Sequence, residues 1–79
     1  MAKKFKVGDC VDQRDINEVG EIFWSKAWRV DKDLGKGTYR ILYARGSEYD
    51  GTVTWANSKY MKKSTRCRRT LSEARAERR

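Results

Sequence analysis

The apolar residues of this chain come in short alternating runs, and that pattern favours short β-strands over helices through most of the chain. The clearest run is Thr38-Tyr39-Arg40-Ile41-Leu42-Tyr43-Ala44. Tyr39, Ile41 and Tyr43 share one parity, Arg40, Leu42 and Ala44 the other, which is the period of a strand. Residues 5–12 alternate in the same way around a Gly8-Asp9 break, a turn or bulge signal. Residues 13–18 are polar and read as a loop. Residues 19–31 give the longest strand candidate, with Ile22, Trp24, Trp28 and Val30 on one parity and Phe23 and Ala27 on the other. Apolar residues on both parities predict a strand that bends and swaps faces. Residues 31–37 are rich in turn formers. Asp50-Gly51 signals a hairpin, followed by a fourth strand at 52–55, one helical turn near 56–59 and a very short fifth strand at 60–62.

The pattern changes after Lys63. Thr70-Leu71-Ser72-Glu73 fits a capping box, with Thr70 as N-cap and Glu73 at the third helical position. A helix this short is marginal alone in water. The expected division is therefore a barrel over 1–63 and a basic tail over 64–79, with a helix from about 71. Because the strand pattern ends by Lys63, removing residues 64–79 is expected to leave a folded barrel.

Seventy-nine residues allow one domain with a limited core, in which three Trp, four Tyr and two Phe supply most of the bulk. The order of features is Phe5-Lys6-Val7-Gly8-Asp9-Cys10-Val11, then Gly20-Glu21-Ile22, then Tyr39-Arg40-Ile41-Leu42-Tyr43, then Trp55, then Tyr60-Met61-Lys62-Lys63. This order resembles the SH3-like small barrels, including chromo-barrel, Tudor and KOW-type domains, over residues 5–63. The resemblance implies an all-β fold, a five-stranded SH3-like barrel with a short basic C-terminal helix or flexible tail. It also implies a methyl-lysine cage as one use of the fold, here assembled from Tyr43, Tyr49 and one of Trp24 or Trp28. The turn at residues 45–51 holds Tyr49 as its only ring, fewer than such readers carry. A Met1 start and an arginine-rich end suggest a stand-alone phage or bacterial protein.

Catalysis is not expected. The chain has no histidine, the commonest general acid–base, and no nucleophile motif or phosphate loop. The small-barrel dihydrofolate reductases are similar in length and strand order, but their cofactor-binding strand motif is not reproduced at Thr52-Val53-Thr54-Trp55. The acids Asp9, Asp12, Asp15, Glu18 and Glu21 read as a solvated edge. No cofactor and no metal are expected: Cys10 and Cys67 fit no ligand spacing and read as reduced thiols, with a disulfide between them as the open alternative. The basic start is followed by no apolar run, so neither a signal peptide nor a membrane span is expected. The location expected is the cytoplasm, the host's if the protein is viral.

The net charge of +8 is unevenly placed: residues 62–79 carry eight basic and two acidic side chains, while residues 1–61 are nearly balanced. Phosphate contacts need Lys and Arg gathered on one face or arm. The candidates are Lys62, Lys63, Arg66, Arg68, Arg69 and Arg75, extended by Arg78 and Arg79 and joined by Lys3, Lys4 and Lys6. Trp28, beside Arg29 near a strand end, is the candidate exposed ring for stacking on bases. The expected function is largely sequence-independent binding of DNA or RNA. The alternative is a protein-interaction barrel, which reads a modified lysine or uses its basic tail against an acidic host enzyme.

Overall fold

A computed structural model describes residues 5–78; Lys3, Lys4 and Arg79, named above as possible phosphate contacts, lie outside them. Five strands form one antiparallel sheet: β1 (Cys10–Ile16), β2 (Ile22–Gly35), β3 (Thr38–Tyr43), β4 (Val53–Asn57) and β5 (Met61–Lys63). The spatial order is β4-β3-β2-β1-β5, with β4 and β5 at the two edges. Among the described residues, a 3-10 turn, Ser58–Tyr60, joins β4 to β5, and one helix, α1 (Leu71–Ala76), follows the last strand. The fold is all-β with a short helix, as expected.

The bend in β2 has a local cause. Val11 pairs with Trp28 and Gln13 with Ser25, so Lys26 and Ala27 together face Asp12 as a bulge. Ala27 takes φ +72°, unusual for a residue with a side chain. Its N–H donates to the buried Asp12 carboxylate at 3.2 Å. That bond satisfies a backbone donor that the interrupted ladder leaves unpaired.

Two stretches expected as loops are strands. Residues 13–16 continue β1, paired to β2 along their length, with Gln13 also paired to β5. They carry no apolar alternation because this arm of the hairpin runs out beyond the core. Residues 31–35 continue β2 to a two-residue turn, Lys36-Gly37, with both φ positive, the geometry that matches strand twist. Asp31 is tolerated in that strand because it is ion-paired to Arg40 and Arg75.

Both faces of β3 are covered. Tyr39 and Ile41 join Phe5, Val11, Trp28, Val30, Ala56 and Met61 in the main core, with Tyr43 packed against it. Leu42 and Ala44, on the other parity, pack under Ala74 of the helix, with Val53, Cys67 and Leu71 around them. The helix forms as its sequence dictates. The Thr70 side chain accepts the Glu73 N–H and the Glu73 carboxylate accepts the Thr70 N–H. A Cβ on Gly51, which holds φ +87°, would collide with the Glu77 backbone, so the 50–51 turn and the helix end sit in direct contact.

The two cysteines are not reduced thiols. Cys10, at the start of β1, is bonded to Cys67, 57 residues away, with Cα atoms 6.0 Å apart. The segment after Lys63 is therefore fixed to the sheet at the disulfide, at Ala74 and at Asp31.

Candidate anion-binding cleft and aromatic pocket

The disulfide decides where the arginines point. Residues 65–69 run outside any helix or strand, and Cys67 is anchored inward by Cys10, which also accepts the Cys67 N–H at 3.2 Å. Ala44 O accepts the N–H groups of both Arg68 and Arg69. Arg66 and Arg68, one on each side of the anchored cysteine, border an open cleft of about 610 Å³ together with Arg45, Thr65 and Cys67. Among the described residues, none of these three guanidinium groups has an ion-pair partner. Arg45 enters the cleft from the end of β3, beside Gly46, whose missing side chain leaves room for the Arg68 stem.

Lys62, Lys63, Arg69 and Arg75 are engaged elsewhere. Lys63 pairs with Asp9 at 2.7 Å. The Lys63 hydrogen bond is the main force holding the Asp9 carboxyl below its ordinary range, aided by the Lys6 N–H and opposed by slight burial. Lys62 lies over the Trp24 ring, 4.1 Å from its centroid. Arg69 reaches the buried Asp50 at 3.2 Å and Glu73 at 3.6 Å. Arg75 binds Asp31 at 2.6 Å through Nε and donates from a second nitrogen to the Asp31 carbonyl at 3.0 Å. Of the six candidates, the structure brings Arg66 and Arg68 together, adds Arg45, and binds the rest to the body.

The aromatic residues are also rearranged. Trp28 is buried, not the exposed ring expected. Its bulky side chain is needed in the core, where it meets Tyr43 edge-on with centroids 4.9 Å apart and donates from Nε1 to Ser25 Oγ. It also joins Tyr43, Tyr49 and Thr52 in lining an apolar pocket of about 240 Å³. Tyr49 is exposed and forms the outer wall. Trp24, the other candidate for this group, does not line the pocket; it stays with Lys62 on the β1–β5 side. Trp55 is the tryptophan left in solvent, 60% exposed and directly across from Arg40.

Arg45 escaped the sequence reading because it lies outside the basic tail. The signal that could have found it is relational: Arg66-Cys67-Arg68 places two arginines around a cysteine that has a distant partner, and that pairing, with the bonds to Ala44 O, brings the segment to the end of β3. Among the described residues, no group of three His, Cys, Asp or Glu side chains is arranged to hold a metal ion, and no helix is long and apolar enough to cross a membrane. Comparison with protein-family models, with curated proteins and with solved structures finds no match.

Proposed function

We propose that the protein is a small nucleic-acid-binding protein of SH3-like barrel architecture that grips phosphates with Arg45, Arg66 and Arg68. The observation that carries this reading is the convergence on one open cleft of three arginines that have no ion-pair partner among the described residues. Guanidinium is the cation best matched to phosphate, because its planar fork gives two parallel hydrogen bonds. A core shared by both edge strands, through Ala56 of β4 and Met61 of β5, supports a sheet curled into a barrel. Contacts to phosphate carry no sequence information directly, so binding through them is largely independent of sequence.

Titration with single-stranded and duplex DNA at two salt concentrations tests the reading. Three phosphate contacts predict a salt slope of about −2 to −3, and Arg66→Gln or Arg68→Gln should each lower its magnitude by about 0.7–0.9. Arg75→Gln, in contrast, should destabilise the fold and leave the slope unchanged. Absence of binding at low salt, or an affinity indifferent to salt, would overturn the proposal.

A second reading is favoured by one specific observation, the convergence of Trp28, Tyr43 and Tyr49 on a single pocket. Three rings there could hold a methylated ammonium group through cation–π attraction. The expected result is that a trimethyllysine peptide binds and its unmodified form does not, with binding lost in Tyr49→Ala. Equal affinity for the two peptides would exclude this use of the pocket.

A further inference from the structure

The end of the β1–β2 hairpin differs in character from the rest of the molecule. Within residues 15–23, Ile16, Val19, Ile22 and Phe23 are 63%, 77%, 62% and 43% exposed. Isolated apolar side chains in solvent need no explanation, but a contiguous group does. Ile16 and Ile22 oppose each other directly across the strands. Ile16, Asn17, Glu18, Val19 and Phe23 border a groove of about 450 Å³.

The group is held rigidly. Asn17 Oδ1 accepts the N–H groups of Val19 and Glu21, its Nδ2 donates to Glu21, and its own N–H donates to the Glu21 carbonyl. Gly20 completes the turn at φ +84°. An apolar surface fixed before binding costs little entropy to use.

Charge identifies the occupant. The nine residues carry three carboxylates, Asp15, Glu18 and Glu21, and no cation, in a chain whose net charge is +8. Nucleic acid is repelled from such a rim. A second copy docking tip to tip would oppose like charges, which is also unfavourable. We infer that this hairpin end docks a protein segment in which apolar side chains are flanked by Lys or Arg. This inference does not rest on the nucleic-acid reading. The arginine cleft is fastened at Cys10 and the docking tip begins at Ile16, the two ends of β1, roughly 20 Å apart at ordinary strand rise. Both sites can therefore be occupied at once, and, on the nucleic-acid reading alone, the molecule would join a basic protein segment to a polyanion.

The test uses the full chain, its backbone amides followed by NMR. Three synthetic probes are added in turn: a peptide with Leu and Phe flanked by Lys-Arg pairs, the same peptide with Glu flanks, and the Lys-Arg peptide with Ser in place of Leu and Phe. Shifts confined to residues 15–23, saturating with the first probe and roughly tenfold weaker with the second, are expected, since rim charges tune such contacts. The third probe should give none. Val19→Ser and Phe23→Ser should abolish the shifts and leave the DNA salt slope unchanged, which separates this site from the cleft. No shift at millimolar first probe, or equal shifts with the Glu-flanked one, would overturn the inference. So would concentration-dependent shifts at 15–23 without peptide, which would make the occupant a second copy, or shifts there on adding DNA.

Discussion

A chain ended at Lys63 is expected to show no cooperative unfolding transition by circular dichroism, although its five strands are all present. The cut removes Cys67 and with it the crosslink to Cys10. In the chain-entropy account, a loop closed over a separation of 57 residues is worth roughly 4 kcal/mol. The cut also uncovers Leu42 and Ala44, both fully buried; burial of a leucine side chain alone is worth about 1.5–3 kcal/mol. Finally it takes Arg75 from Asp31 and Arg69 from Asp50, two carboxylates that are buried in the intact chain. A domain of this length is stable by only about 4–12 kcal/mol in total, so these losses are comparable with everything it has. Cys10→Ser with Cys67→Ser in the full chain isolates the first effect. It should lower the midpoint of thermal unfolding by roughly 15–30 °C, at about 4–8 °C per kcal/mol. A truncated chain with a dispersed amide spectrum and an unchanged midpoint would show that the segment after Lys63 only decorates the sheet. The disulfide also bears on location, since such bonds persist in oxidising surroundings and are reduced in the cytosol. A reductant should therefore loosen the segment that carries Arg66 and Arg68.

This reverses the expectation drawn from sequence, and the reason is instructive. The strand of residues 38–43 was legible because its alternation is strict. What alternation cannot show is what covers the second face: Leu42 and Ala44 share a parity with Arg40, and only the fold brings Ala74 over them. The capping box at Thr70 and Glu73 was equally legible, since it involves residues three apart. Asp31 and Asp33 resemble a turn because aspartate disfavours strands. Tertiary partners override that preference at Asp31, and those partners lie 9 and 44 residues further along. The candidate site followed the same rule. Clustered charge located Arg66 and Arg68, but which arginines are paired depends on acids scattered through the body. Trp28 and Trp24 could not be told apart by parity, because the bulge at Ala27 lies between them.

Asp31→Asn is expected to destabilise the protein by about 2–3 kcal/mol at pH 7, the scale of hydrogen bonds to a charged group, read as a lower urea midpoint. The Asp31 side chain is 2% exposed and receives Arg40 and Arg75, both at 2.6 Å. The value is kept near the lower end for a pair of this burial, because Arg75 is itself half exposed and partly screened by water. The pH dependence gives the more searching test. Burial opposes ionisation of Asp31, but the hydrogen bonds and charges of Arg75 and Arg40 outweigh it and hold the carboxyl below its ordinary 3.8. A folded value below the unfolded one means that the unfolded chain binds the proton more readily. The stabilisation is thus fully present above pH 3.8 and is lost as the pH falls through the lower, folded value. The difference between wild type and Asp31→Asn should then narrow below pH 3.8, because protonation makes the wild-type carboxyl neutral like the amide. The variant keeps some acid sensitivity of its own, since Asp9 and Glu73 are lowered in the same direction. A difference that stays constant down to pH 2 would mean that Asp31 acts through its shape and not its charge. The helix would then be held to the sheet by Ala74 and the disulfide, with the arginine pairs contributing nothing.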